Sequence, residues 1–417
     1  MTKIFATLIT IGDELLIGQV VDTNSAWMAQ ALNEAGILVK QRISVGDNAD
    51  DIIHALDEAG NQSSIILMTG GLGPTADDIT KPVLCQYFDG EMVVDEGALE
   101  NVRSIFHRLK RPLIERNLKQ AEVPSTCTVI LNKRGTAPGM WFEKNGKVFV
   151  SMPGVPHEMK GMMTDYVLPA LQSHFQTPYI VHRTLLTAGV GESFLADMIQ
   201  QWEEQLPPHM KLAYLPNYGM VRLRITAIGG DAVSLASEVD TQFEQLKALV
   251  KDHLVTDRDE SMEMVVGKLL KKAGKTLGTA ESCTGGYIAH LITTHAGSSD
   301  YFVGSVVSYD NKVKEGLLGV MPETLETHGA VSEAAVRQMA SGALARLGTD
   351  YAIAVSGIMG PGGGSDEKPV GTVWVAAASK HEVLVQQMHF RFDRRRNIEL
   401  TATNALNLLR KLILSET

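Results

Sequence analysis

The sequence has little cysteine, no long apolar run and no basic excess, and each absence closes off a class of protein. Its three cysteines, Cys85, Cys127 and Cys283, are odd in number and far apart. That pattern suits a reducing compartment and excludes a disulfide framework or a cysteine-based zinc site. No window of about twenty apolar residues occurs, so no membrane-spanning helix is expected. Met1-Thr2-Lys3 opens no signal-peptide pattern, and a soluble, cytoplasmic protein is expected. Acidic residues outnumber basic ones, 48 to 38, for a net charge of −10, which argues against broad binding to nucleic acid or anionic membrane. No Walker lysine motif is present, which excludes a P-loop, and no internal repeat is evident.

What is present is a chain of 417 residues, 44% hydrophobic, enough for two to four domains with real cores. Residues 1 to about 170 alternate strand and helix. Lys3 to Gly12 reads as a strand, Asn24 as the cap of a helix ending at Gly36, and Ile37 to Val45 and Ile65 to Thr69 as further buried strands. Strands separated by helices imply a parallel sheet covered on both faces, which binds ligands at the carboxyl ends of its strands. Gly70-Gly71-Leu72-Gly73-Pro74-Thr75-Ala76-Asp77-Asp78 falls at such an end. Its glycines let backbone amides crowd an anion, and the next helix offers its positive N-terminus. Asp77 and Asp78 have two readings, as first-turn acids that complement a helix dipole or as ligands to a divalent cation whose shell substrate phosphates complete. Asp13 and Glu14 follow the first strand at the same expected sheet edge.

Residues 175 to about 255 form a smaller unit, with strands over Ile180 to Ala188 and Val221 to Ile228 and helices near Ser193 to Glu204 and Ala232 to Asp252. It has no Gly-x-x-Gly loop with basic flanks, so RNA binding is not supported. A spacer or an oligomer contact is the expected role, with a homodimer as the expected assembly.

The most informative stretch is Thr279 to Gly286, Thr-Ala-Glu-Ser-Cys-Thr-Gly-Gly, which sets a nucleophile on a turn between a strand (Lys275 to Ala280) and a helix (Gly286 to Thr294). A hydroxyl at Ser282 would face the amides that open the helix, which can stabilise a developing oxyanion. The competing reading of such a serine is a helix cap. Cys283 is a rival nucleophile, although a free cysteine is more often a small core residue. A base could come from the helix that follows the strand Val303 to Ser308, since burial can lower a lysine pKa from about 10.4 toward neutrality. Lys312 and Lys314 both qualify. They point about 200° apart on a helix, so at most one can face Ser282, and spacing does not choose between them. The glycines of Ser356 to Gly364, after a strand at Tyr351 to Val355, suit either a flexible loop or close approach of backbone to a ligand.

Ala-Glu-Ser-Cys-Thr-Gly-Gly (280–286), Gly-Ser-Ser (297–299), Tyr-x-Asn-x-x-Lys (309–314), Leu-Leu-Gly-Val (317–320), Gly-Ala-Val-Ser (329–332), Ser-Gly-Ile-Met-Gly-Pro-Gly-Gly (356–363) and Lys-Pro-Val-Gly-Thr-Val (368–373) together resemble the nicotinamide-nucleotide amidohydrolase family, the C-terminal domain of CinA proteins. The match spans roughly Glu260 to Leu414. The resemblance implies that Ser282 is the nucleophile, assisted by Lys314 and Tyr309, in metal-free hydrolysis of nicotinamide mononucleotide (NMN) to nicotinate mononucleotide and ammonia. Amides near Thr284 and Gly285 would hold the oxyanion, with Gly286, Asn311, Gly357, Gly360, Gly362 and Arg394 as further substrate-binding residues. Three positions depart from the family pattern: Met359 stands for an alanine, Asp310 for a serine, and Phe392 for the glycine before Asp393-Arg394.

Ile-Gly-Asp-Glu-Leu-Leu-x-Gly (11–18), Asp-Thr-Asn (22–24), Gly-Gly-Leu-Gly-Pro-Thr-x-Asp-Asp-Ile-Thr (70–80) and Met-Pro-Gly-Val-Pro-x-Glu-Met (152–159) resemble the molybdopterin-binding-like domain that heads CinA proteins. That domain implies metal-dependent hydrolysis of the ADP-ribose pyrophosphate bond, with Gly70, Gly71, Gly73, Thr75 and Asn24 on the nucleotide and Asp77, Asp78 and Glu14 on a divalent metal. The expected architecture is α/β in three domains: a molybdopterin-binding-like parallel sheet at 1–172, a small KH-like α+β linker at 173–256 and an α/β amidohydrolase domain at 257–417. Two other functions compete: a molybdopterin-type binding module in front, or a non-catalytic competence and DNA-damage factor, which the acidic charge opposes.

Overall fold

Phe5–Ile11 is a run of β-forming residues with every side chain after the first buried, so it belongs inside a sheet covered on both faces. The computed structural model describes residues 3–217 and 219–417, in two compact units, Met1–Val181 with Ala227–Ala236 and His182–Thr226 with Ser237–Thr417.

In the first unit, β1 (Phe5–Ile11) pairs in parallel with β2 (Leu38–Val45) and with β3 (Ile65–Thr69). The sheet continues through β4 (Thr128–Ile130), β5 (Gly139–Lys144) and β6 (Lys147–Met152) in the order β2-β1-β3-β6-β5-β4. β6 is parallel to β3, whereas β5 pairs antiparallel with β6, and β4 antiparallel with β5. The sheet is therefore mixed, not the wholly parallel one expected. The cause is local: Asn145 and Gly146 both have positive φ, 54° and 71°, the two-residue turn that closes a hairpin.

Leu8 and Leu67 pack with Met28 and Leu32 of α1 (Thr23–Glu34) on one face. Ile9 and Ile66 pack with Ile52 and Leu56 of α2 (Ala49–Gln62) on the other. The cap of α1 is Asp22, whose carboxylate accepts the Ser25 amide at 2.9 Å. Asn24, expected to cap this helix, lies in its first turn instead. A shorter helix, α3 (Thr80–Tyr87), follows the glycine-rich loop.

The middle region is a four-stranded sheet of β7 (Tyr179–Ala188), β8 (Met210–Asn217), β9 (Met220–Gly229) and β10 (Leu254–Thr256), ordered β8-β9-β7-β10. Two helices accompany it, α4 (Glu192–Glu203) and α5 (Ala232–Leu249).

The C-terminal sheet has β11 (Leu277–Glu281) between β12 (Phe302–Val307) and β13 (Tyr351–Gly357), all parallel. Two antiparallel strands, β14 (Thr372–Ser379) and β15 (Val383–His389), complete it. Its helices are α6 (Met262–Ala273), α7 (Tyr287–Thr293), α8 (Asn311–Leu318), α9 (Glu333–Leu347) and α10 (Arg394–Glu416). Alternation along the strands separates two cores. Leu277, Ile353 and Val375 meet α6, α7 and α10, while Ala280, Ala354 and Ala376 meet α9. Among the described residues no helix is long and apolar enough to cross a membrane.

The alanine face lets α9 lie close to the sheet, and Gly342 lets α8 lie close to α9. A Cβ at Gly342 would overlap the Leu318 carbonyl at the end of α8. Gly342→Ala must displace one of the two helices, and overpacking of this kind costs about 1–3 kcal/mol. Its melting temperature is expected to fall by several degrees in a thermal scan. An unchanged melting temperature would show that the contact yields without strain.

Candidate functional site

The turn after β11 is organised by a buried acid that the sequence reading quoted but gave no role. Glu281 is fully buried. Its carboxylate accepts the amides of Gly286 (3.1 Å), Ile288 (2.9 Å) and Ala289 (2.9 Å) and the Thr284 hydroxyl (2.7 Å). Glu281 therefore satisfies the orphan donors that open α7. Ser282 is relieved of the capping role that competed with catalysis.

The same bonds correct the expected oxyanion donors. The Gly286 amide is committed to Glu281, and the Gly285 amide turns back to the Ser282 carbonyl at 3.2 Å. Among the described residues, the amides of this turn without an acceptor elsewhere in the protein are those of Cys283 and Thr284. Thr284 thus keeps a place in the site through its backbone while its hydroxyl serves Glu281.

Ser282 and Cys283 face different layers. Cys283 packs in the core beneath α6, α7 and α10, and burial pushes its thiol up to about 12. A thiol so desolvated carries almost no thiolate near neutral pH. Ala280 and, on the adjoining strand, Val306 face α9, whereas Glu281 serves α7. Ser282 and Ser308 come next in this alternation, and the Ser308 amide continues the ladder to the Glu281 carbonyl at 2.9 Å.

The two lysines of α8 part completely. Lys312 is exposed, its amide bonded to the Asp310 carboxylate that caps the helix. Lys314 is 1% exposed, and its ammonium donates to the carbonyls of Ser308 (2.8 Å) and Tyr309 (3.2 Å). Burial lowers its pKa from the ordinary lysine value, against the opposing charge of Asp310. The Asp310 departure thus replaces one capping residue by another.

Tyr309 and Arg394 are brought together: the guanidinium donates to the Tyr309 hydroxyl (2.9 Å) and to the Gly360 carbonyl (2.9 Å). Arg394 also lines a 600 Å³ cavity with Thr284, Gly285, Gly286 and Tyr287. Gly362 lies in the exposed loop beyond. Gly357 does not join them; it is the last residue of β13, and a Cβ there would press on Val373 and the Thr372 carbonyl. Asn311 begins α8 with its side chain exposed. The Met359 side chain is buried in the core, while its carbonyl accepts the Asn397 amide. Asn397 also bonds both backbone groups of Phe392, tying the glycine loop to α10. Neither Asn397 nor Ser308 stood in a motif that marked it.

A second cavity, 480 Å³, opens at the carboxyl ends of β1 and β3 and is lined by Gly70, Gly71, Gly73, Asn24, Glu14 and Asp77 among others. Gly70 (φ 118°) and Gly71 (φ 64°) are required there, since a Cβ would overlap the Ile11 carbonyl at one and the Thr80 hydroxyl at the other. The start of α3 holds this loop, with the Thr80 amide on the Gly71 carbonyl and its hydroxyl on the Gly70 carbonyl. Asp78 accepts the amides of Gly73 (2.8 Å) and Thr75 (2.9 Å) and the Thr75 hydroxyl. Asp78 and Thr75 are therefore a loop brace, a correction to their expected roles on metal and nucleotide. Asp77 stays exposed, since the Thr75 hydroxyl is given to Asp78.

Glu14 is joined by an acid the sequence reading passed over. Asp47 lines the cavity, exchanges backbone-to-carboxylate bonds with Asp13 (3.1 and 3.2 Å), and has its carboxyl raised by burial and by the charges of Asp13, Glu14 and Asp77. Its signal was available, as the acid just beyond β2 at the edge that holds Asp13. The lining carries six carboxylates, Glu14, Asp22, Asp47, Asp77, Asp78 and Glu158, and no lysine, arginine or histidine. Among the described residues no three histidine, cysteine or acidic side chains converge as a closed ligand set. The donors fit a hard cation held by one or two carboxylates and completed by phosphate oxygens and water.

Three family models match consecutive parts of the chain: a probable molybdopterin binding domain over residues 7–173, a damage-inducible protein CinA KH domain over 182–256 and a CinA C-terminal domain over 259–413. The fold and these matches define a three-domain α/β protein of the CinA architecture. A CinA-like protein of Cytophaga hutchinsonii is 47% identical over 98% of both chains, and one of Flavobacterium psychrophilum is 43% identical over 98% of both. The chain belongs to the CinA family. A solved CinA superfamily protein from Klebsiella pneumoniae is 36% identical, covering 37% of this chain and 96% of its own, with a TM-score of 0.36.

Glu281→Gln keeps the shape of the buried group and replaces one acceptor oxygen by a donor that faces backbone N–H groups. An unsatisfied buried donor costs about 1–3 kcal/mol. Urea unfolding of Glu281→Gln should show a loss of that size. A variant as stable as the parent would mean that these amides find other acceptors and that Glu281 is not what holds the turn.

Proposed function

We propose that the C-terminal domain is a metal-free amidohydrolase acting on the carboxamide of NMN, with Ser282 as nucleophile and Lys314 as base. The observation that carries this reading is the bonding of Lys314. A neutral amine has two N–H bonds and one lone pair, and two carbonyls accept from this nitrogen, which leaves the lone pair for a proton. Ser282 Oγ attacks the amide carbon as its proton passes toward Lys314. The oxyanion takes the Cys283 and Thr284 amides. Collapse breaks the C–N bond, and ammonia leaves with the proton from Lys314. Water, deprotonated in turn by Lys314, hydrolyses the acyl-serine to the carboxylate and restores Ser282. Arg394, steered by Tyr309 and Gly360, suits the substrate phosphate.

Ser282→Ala is expected to abolish ammonia release from NMN, and Lys314→Ala to lower kcat by about 10²–10⁴-fold, while Cys283→Ala and Lys312→Ala retain most of it. The base must be neutral to act, so kcat/KM should rise with pH through a Lys314 value below the ordinary one of about 10.4. Equal losses at Lys312 and Lys314 would refute the assignment.

For the N-terminal domain we propose a metal-dependent pyrophosphatase acting on ADP-ribose. Support comes from the charge of its cavity: a pyrophosphate cannot approach six carboxylates without a basic residue unless a cation accompanies it. Asp77 and Asp47 would hold that ion, with Glu14 beside them on the lining, and the ion would supply Lewis-acid polarisation of the phosphates. Gly70 and Gly71 shape the phosphate approach, and Asn24 contacts the nucleoside. A molybdopterin-type binding module is the second reading, favoured by the matched domain. Release of AMP and ribose 5-phosphate from ADP-ribose with added divalent metal supports the enzyme; tight pterin binding without such release supports the module. Asp47→Asn combined with Asp77→Asn should remove this release and leave deamidation intact. Full pyrophosphatase activity in that variant would overturn the metal assignment.

A further inference from the structure

The buried polar atoms of the C-terminal domain include one that no role above uses. Ser308 is fully buried, and its hydroxyl has no hydrogen-bond partner. Its backbone is fully engaged: the amide bonds the Glu281 carbonyl (2.9 Å) and the carbonyl accepts from Lys314 Nζ (2.8 Å). Through those two bonds Ser308 touches both the residue before Ser282 and the general base. The register of β11 and β12, Ala280 with Val306 and Glu281 with Val307, makes Ser308 the lateral neighbour of Ser282. Alternation turns both hydroxyls away from the Glu281 side. No direct hydrogen bond joins Ser282 to Lys314 among the described residues. Buried hydroxyls nearly always find a partner, so one left open on the residue that adjoins Ser282 and whose carbonyl holds Lys314 calls for a reason.

We infer that Ser308 is the proton relay between Ser282 and Lys314, completing a Ser–Ser–Lys arrangement. As Ser282 Oγ bonds the carbonyl carbon, its proton moves to Ser308 Oγ, and the Ser308 proton moves to the lone pair of Lys314 Nζ. One O–H bond breaks and one forms at Ser308, and one N–H bond forms at Lys314. The reverse transfer delivers the proton to the leaving amine. A hydroxyl carries a proton in and out by a small rotation about χ1, within the reach of a site that tightens only when substrate binds. The relay rests on the amidohydrolase reading for its substrate, but not for its chemistry.

The test measures Ser282 reactivity directly, by the rate at which a fluorophosphonate labels the full-length chain between pH 6 and 10, with Ser282→Ala as the blank. In Ser308→Ala the labelling rate is expected to fall at least tenfold and its rise with pH to move upward, since Ser282 loses its path to the base. Ser308→Thr, which keeps the hydroxyl, should recover most of the rate. The melting temperature of Ser308→Ala should hold or rise, because an unpartnered hydroxyl has been removed from the core. A purely structural Ser308 predicts the opposite pair, a lower melting temperature and an unshifted pH profile. An unchanged rate and profile in Ser308→Ala would overturn the relay, as would a wild type that the probe does not label at Ser282. Wild-type labelling without ammonia release from NMN would remove the substrate reading and leave the relay standing.

Discussion

The C-terminal domain depends on one buried carboxylate. Placing Glu281 at the end of a fully buried strand would be prohibitive without matched donors, and the start of α7 supplies three amides and a hydroxyl. Hydrogen bonds to a charged acceptor are worth about 1.5–3 kcal/mol each, so the turn has one conformation and strongly resists others. Everything reactive follows from it. The amides that Glu281 engages are closed to a ligand, those of Cys283 and Thr284 are left over, and Ser282 leaves the strand on the face opposite the carboxylate.

Lys314 has the contrary environment. It is as buried as Glu281 but has only neutral carbonyls for partners, and burial disfavours its charged form. Two buried ionisable groups, Glu281 at the end of β11 and Lys314 on α8, one with its bonding capacity filled and one left short, are what divide a structural charge from a chemical one. Gly342 acts on the helix that carries this lysine, since it lets α9 approach the Leu318 carbonyl at the end of α8.

The alternation of strand and helix, the strand-turn-helix at Ser282 and the placing of loops were legible because period and glycine spacing report them directly. Strand limits such as Ile65–Thr69 and the helix after Gly286 needed no tertiary information. The antiparallel edge of the first sheet was legible too, in Asn145-Gly146, but a parallel expectation overrode it. Glu281 was invisible for a different reason: an acid at a strand end reads as exposed, and only the fold brings α7 back over it. Asp78 failed in the reverse direction. Its carboxylate looked available for metal because the sequence does not reveal that Gly73 and Thr75 claim it. Spacing also could not separate Lys312 from Lys314, since the answer is which side of α8 meets the sheet.

Net charge is a poor guide to either site, and the two cavities show why. The chain as a whole carries −10, yet a potential acts over about a Debye length, roughly 8–10 Å, in ordinary salt. Within that range the cavity next to the Ser282 turn is flanked by Arg394 and by Arg395, the latter paired with Glu399, at the start of α10, whereas the charged groups lining the cavity at β1 and β3 are all carboxylates. The guanidinium of Arg394 is already directed by two protein acceptors, so an anionic group meets a pre-oriented donor there without reorganisation. The cavity at β1 and β3 can receive the same kind of anion only after a cation has reversed its field. On the proposed reading both sites take phosphorylated ligands, with a fixed side chain compensating the charge in one and a separate solute in the other.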